Sequence, residues 1–134
     1  MNERAYAVEL KIPDNEAYTA MRALQRLGVA VARVQRADIL VFEREESDEA
    51  LSALIERDER LFNPNKHRLE RLPGAHPRDG EVWVEMLDAA RSAPMRRLVG
   101  WRLFDHAGNP LGGADLDAAC TRLLCNPAIE RAIR

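Results

Sequence analysis

The sequence predicts an α+β protein built from two strand-helix-strand-strand-helix units, forming an antiparallel sheet with helices on one face. Three observations carry this. Stretches of alternating apolar residues give way repeatedly to apolar residues at helical spacing. A Pro- and Gly-rich stretch, Leu72-Pro73-Gly74-Ala75-His76-Pro77-Arg78-Asp79-Gly80, separates two patterned regions. The same order of elements, closed by the same Asn-Pro dipeptide, then recurs on both sides of it. The predicted units are residues 1–72 and a shortened 81–134, with 73–80 as linker, packed as one globular pseudo-dimer.

In the first unit, Tyr6, Val8 and Leu10 alternate with Ala7, Glu9 and Lys11, the period of a half-buried strand that Pro13 ends. Asp14 is placed to cap a helix with Glu16 in its first turn. Ala17, Met21, Leu24 and Leu27 form its apolar stripe and Gly28 its stop. Val29, Val31 and Val34, then Ile39, Val41 and Phe42, predict two short strands around a turn near Gln35 to Asp38. Ser47-Asp48-Glu49 starts a second helix with the stripe Leu51, Leu54, Ile55, Leu61 and Phe62, broken at Asn63-Pro64. His67 to Leu72 returns as an extended segment.

In the second unit, Val82, Val84 and Met86 alternate with Trp83 and Glu85 as a strand. Residues 87–98 are expected as a helix that Pro94 interrupts. Leu98 to Phe104 reads as a strand, and Asp105-His106-Ala107-Gly108-Asn109 as a reversal. Asp115 is expected to cap a last helix carrying Leu116, Ala119, Cys120, Leu123 and Leu124, ended by Asn126-Pro127.

The chain has 134 residues, 46% hydrophobic and 31% charged, with a formal charge of -2. A chain of this length buries about two-thirds of its unfolded surface, which excludes global disorder. Neither a signal peptide nor a membrane span is legible, and two cysteines give no disulfide framework, so a cytoplasmic protein is expected. Near-neutral charge, interspersed Arg and Glu and 5% aromatics argue against nucleic acid as the main partner.

No motif for catalysis or cofactor binding stands out. His67, His76 and His106 have no ligand-spaced neighbours, and Cys120 and Cys125 read as small hydrophobes. Asp105-His106 reads as turn chemistry ahead of a catalytic pair. The segment Gly108-Asn109-Pro110-Leu111-Gly112-Gly113 lacks the spacing of a phosphate loop. Arg33-x-x-Arg36 and Arg96-Arg97 are candidate phosphate contacts, weighed against an exposed face or interface rim. The acidic run from Glu43 to Glu49 reads as helix-start electrostatics.

The C-terminal run Leu116-Asp117-Ala118-Ala119-Cys120-Thr121-Arg122-Leu123-Leu124-Cys125-Asn126-Pro127-Ala128-Ile129-Glu130 resembles the last helix of the PurS family. PurS is the small subunit of phosphoribosylformylglycinamidine synthase, and its helix ends in a Leu-Leu-x-Asn-Pro-x-Ile-Glu pattern. Ala23-Leu24-Gln25-Arg26-Leu27-Gly28 and Ala32-Arg33-Val34-Gln35-Arg36 follow the family's order of an Arg-Leu-Gly helix end and an Arg-Val-Gly-Lys turn. The family's Leu-Asp-Pro-Gln-Gly segment is absent, and Gln35-Arg36 replaces Gly-Lys.

The resemblance implies a non-catalytic accessory subunit of de novo purine biosynthesis, without cofactor or metal. It would bridge a PurL-like synthetase and a PurQ-like glutaminase, with no nucleic acid or membrane partner. Arg33, Arg36, Asn63, Arg97 and Asn126 are the expected partner contacts, and a homodimer also fits the pattern. The alternative is a small-ligand regulatory module of ferredoxin-like or ACT-like type. A third reading, an enzyme using Asp105 and His106 between the halves, has least support.

Overall fold

The computed structural model describes residues 3–89 and 95–134. One six-stranded antiparallel sheet organises them: β1 (Glu3–Leu10), β2 (Arg33–Glu43), β3 (His67–Arg71), β4 (Glu81–Met86), β5 (Met95–Phe104) and β6 (Glu130–Ile133), in the spatial order β3-β1-β2-β5-β4-β6. Its helices are α1 (Asn15–Arg26), α2 (Asp48–Arg57) and α3 (Gly113–Ala119), the last continuing as a π turn over Cys120–Leu124.

Local chemistry sets several boundaries as the sequence predicts. The Asp14 carboxylate accepts from the amides of Glu16 and Ala17, Arg26 lies in the last turn of α1, and Gly28 leaves the helix at φ +85°. Ser47 caps α2 through the Ala50 amide. After β5, the Asp105 amide bonds to the Asn109 carbonyl while its carboxylate accepts from Ala107 and Asn109, a reversal closed by Gly108 at φ +84°.

Four expectations are corrected. The predicted hairpin at 29–42 is one strand, β2, running from Arg33 through Asp38 to Glu43. The described residues up to 72 therefore do not read strand-helix-strand-strand-helix. They run strand-helix-strand-helix-strand, and polar Gln35, Arg36 and Asp38 are interior strand positions because β5 pairs them along its length. Of the helix expected at 87–98, Leu87 to Ala89 form a turn and Met95 to Leu98 begin β5, while 90–94 lie outside the described residues. The helix after Ser47 ends at Arg57, so Leu61 and Phe62 pack from the following turn. Asp115 lies in the first turn of α3, but the cap position is Gly112, with no side-chain bond.

Cross-strand pairing places Tyr6, Val8, Leu40, Phe42, Leu103, Val82 and Val84 on one face. All three helices pack there, α1 and α3 over Val34 and Leu103, α2 over Tyr6, Leu40 and Phe42, and the π turn over Val82 and Val84. Fully buried Leu24, Leu51 and Ile55 each contribute roughly 1.5–3 kcal/mol of hydrophobic stabilisation.

The opposite face carries Ala5, Ala7, Ala37, Ile39, Val41, Leu98 and Trp83, which are also buried. Residues 72–80 connect the outermost β3 to β4, fifth in the order, and Leu72 and Ala75 pack on this face. The segment read as a linker thus packs on the second face of the sheet through Leu72 and Ala75. Small residues allow that closeness: a Cβ on Gly100 would lie 2.9 Å from Ile39 and 3.1 Å from the Glu81 carboxylate.

Two carboxylates are buried on this face. Glu81 is 2% exposed and accepts from the Arg78 amide and guanidinium at 2.9–3.1 Å; Arg78 also reaches Glu70 at 3.4 Å. Glu85 is 1% exposed and is held by a two-pronged Arg96 contact, 2.9 Å on each side, and by Arg131. These groups tie β4 to the crossing segment, to β5 and to β6. Burial alone would raise the Glu85 pKa, but the hydrogen bonds and charges of Arg96 and Arg131 outweigh it and hold the carboxyl below the ordinary glutamate range.

Candidate functional site

The five sequence-selected residues do not converge on one site. Arg36 and Arg97 lie on the helical face of adjacent strands, each with a carboxylate: Arg36 bonds Asp14 at 3.3 Å and Glu16 at 3.2 Å, and Arg97 bonds Asp38 at 3.0 Å. They form a charged seam between the apolar cluster under α1 and that under α2. Arg33 is on the opposite face, its guanidinium carbon 4.3 Å from the Phe104 ring centroid.

Asn63 and Asn126 sit in two turns with one hydrogen-bond pattern. The Asn63 side-chain oxygen accepts from the Asn65 amide, its carbonyl accepts from Lys66 and His67, and its amide donates to His67 Nδ1. The Asn126 oxygen accepts from Ala128, its carbonyl from Ile129 and Glu130, and its amide donates to Glu130 Oε1. Each turn delivers the chain from a helical segment into an outer strand, β3 or β6. Both are Asx turns whose following proline cannot extend the helix.

Three cavities have the dimensions of ligand sites, one of them, about 460 Å³, a charged surface hollow at the end of α2 lined by Leu54, Arg57, Asp58, Glu59 and Arg60. A groove of about 400 Å³ runs between α1 and the π turn, lined by Asn15, Glu16, Thr19, Ala20, Ala23, Trp101, Leu123 and Leu124. Small residues at positions 19, 20 and 23 keep the helix surface low, and the i→i+5 bond from the Cys125 amide to the Cys120 carbonyl (3.1 Å) shapes the other wall. Leu123, 40% exposed, and partly buried Trp101 make this groove apolar, with polar groups at the Asn15 end.

The second cavity, about 860 Å³, lies at the start of α2 and is lined by Arg4, Arg44 and Arg71 with Glu43, Glu45, Glu46, Ser47 and Asp48. Asp48 is its hub: Tyr6 Oη donates at 2.8 Å, Arg4 at 3.3 Å, and Arg71 pairs with the other oxygen. The Tyr6 hydrogen bond, then the two arginines, hold the Asp48 carboxyl below its ordinary range, while burial followed by Asp48 itself pushes the Tyr6 hydroxyl up. Ser47, Asp48 and Glu49 are thus helix-start chemistry, as read from sequence, with Asp48 also anchoring two strands.

His67 accepts from the Asn63 amide and packs near Phe62, and Asp105 uses its carboxylate within its own turn. Burial raises the thiol pKa of both Cys120 and Cys125. Among the described residues no cluster of three His, Cys, Asp or Glu side chains can hold a metal ion, and no helix is long and apolar enough to cross a membrane. Sequence reasoning missed Glu81, Glu85, Arg78 and Phe104. Their only early signal was Glu81 and Glu85 sharing one face of a strand. No protein-family model, curated protein or solved structure matches the chain.

Proposed function

We propose that the chain is a non-catalytic accessory subunit similar to PurS, bridging a PurL-like synthetase and a PurQ-like glutaminase in purine biosynthesis. The observation that carries this reading is the repeated Asn63 and Asn126 turn, on the motif from which the resemblance was drawn. The strand order supports it: β3-β1-β2 on one side of the β2-β5 seam is matched by β6-β4-β5 on the other. Two such units, 1–72 and 81–134, would place a pseudo-two-fold axis at the seam, so one chain presents what two small subunits would present together. Outer strands β3 and β6 each have one edge available for a partner.

The test is reconstitution with a synthetase and a glutaminase from the same cell. Adding the chain should stimulate synthetase turnover with glutamine as nitrogen donor and leave turnover with free ammonia unchanged, since a bridge acts on ammonia delivery. Equal turnover with and without the chain, on glutamine, rejects the reading.

The groove between α1 and the π turn favours a second reading, a small-ligand regulatory module. Its volume of about 400 Å³ and apolar walls suit a metabolite with one polar end. Thermal stabilisation by an amino acid or nucleotide, abolished by Ala23→Phe, which fills the groove, supports it. No stabilisation by any such ligand removes it.

A further inference from the structure

The arginines divide into two populations. Eleven arginines are ion-paired, whereas Arg22, Arg26, Arg33, Arg57, Arg102 and Arg122 take part in no ion pair among the described residues. All but Arg57 lie toward the end of the molecule where α1 finishes, β2 begins and β5 ends, Arg22, Arg26 and Arg122 on the helical side of the sheet and Arg33 and Arg102 on its opposite face. The Ala32 amide bonds the Phe104 carbonyl at 2.8 Å, Arg33 pairs across from Phe104, and Arg122 donates to the Leu27 carbonyl at 2.8 Å.

Arg26 and Arg122 have a local role, facing the negative end of the α1 dipole. Arg33 and Arg102 do not. Both guanidiniums lie over the one Phe104 ring, at 4.3 and 5.2 Å from its centroid, which places them within about one Debye length of each other (about 10 Å at 0.1 M salt). Arg102 Nε is buried without a hydrogen-bond partner. Two like charges held on one ring repel each other until an anion lies between them, and the planar fork of each suits a carboxylate.

We propose that this arginine end, centred on Arg33 and Arg102, docks an acidic segment of a partner protein. An acidic polypeptide is favoured over nucleic acid because the one aromatic ring at the site, Phe104, is 7% exposed and already covered by the arginines, leaving no face for base stacking. It is favoured over a small free anion because neither Arg33 nor Arg102 lines a cavity of ligand size among the described residues. The inference is independent of the scaffold reading, since it concerns the chemistry of the surface and not the partner's identity.

The test measures fluorescence anisotropy of a labelled oligoglutamate peptide against the full chain, in low and physiological salt, beside a labelled oligothymidylate. The peptide should bind more tightly than the oligonucleotide, and R33Q/R102Q should weaken it about tenfold or more. Arg57→Gln, which removes an exposed arginine remote from this end, should change affinity less than about twofold. R33K/R102K, which keeps charge and stems over the ring, should still weaken binding about threefold if the guanidinium fork is used. That variant decides the matter if R33Q/R102Q does not fold. Absence of peptide binding, tighter binding of the oligonucleotide, an equal loss with Arg57→Gln, or unchanged affinity in R33K/R102K would each overturn the proposal.

Discussion

Glu85→Gln is the substitution that probes the sheet most sharply. It preserves side-chain volume and one acceptor oxygen but removes the negative charge that Arg96 and Arg131 share. The carboxylate side chain is 0% exposed, while its partners are 25% and 23% exposed. Loss of one member of a fully buried pair costs about 3–5 kcal/mol. Water reaches part of both guanidiniums, and Arg96 retains Glu3 at 3.9 Å, so the expected cost is about 2–3 kcal/mol. In urea at neutral pH, followed by the fluorescence of Trp83 and Trp101, the midpoint should fall by roughly 1–2 M.

The pH dependence supplies a second, signed readout. The folded-state pKa of Glu85 lies below its unfolded value. Its contribution is therefore fully present above the unfolded value, roughly 4.3, and is lost as pH falls through the folded one. The gap between wild type and Glu85→Gln should narrow on acidification below about pH 4. A midpoint at neutral pH within about 0.3 M of wild type, or a gap that does not shrink with acid, would refute the argument.

Further expectations concern packing and turns. Gly100→Ala forces a Cβ against buried Ile39 and the Glu81 carboxylate and should cost about 1–3 kcal/mol, read as a lower thermal midpoint. Asn63→Ala and Asn126→Ala each remove an equivalent side-chain bond and should destabilise by about 0.5–1.5 kcal/mol in calorimetry. Glu46→Gln, which removes a partly exposed partner of Arg44, should leave urea unfolding unchanged within error and so serves as the control for Glu85→Gln.

Much of the fold was legible because local chemistry and tertiary packing agree. Asp14, Ser47 and Gly28 sit at helix ends and act there. Asn126-Pro127 follows directly on the last helical turn as expected, whereas α2 stops at Arg57, six residues before Asn63. Failures occurred where distant contacts overrule local pattern. Gln35, Arg36 and Asp38 look like a turn, but pairing with β5 and ion pairs from Asp14 and Arg97 make them comfortable strand residues. Residues 87–98 read as a helix, yet Met95 to Leu98 pair with β2 as strand residues, from which Arg96 reaches Glu85.

The charged and aromatic features of the candidate surfaces were legible only in part, for the same physical reason. Glu81 and Glu85 are polar residues of a strand that sequence places toward solvent. Arg78 of the crossing segment covers Glu81, while Arg96 and Arg131 of the flanking strands enclose Glu85, and neither arrangement has a local signature in the sequence. Arg33 was visible as a candidate, but its neighbour Arg102 comes from another strand, joined to it only by the β2-β5 register.

The scaffold reading stands or falls most directly on affinity co-purification from the native cell, using the tagged full chain, with light scattering to fix stoichiometry. Recovery of a synthetase and a glutaminase in fixed ratio to the chain is the predicted result. Recovery of neither, from cells making purines de novo, would contradict it.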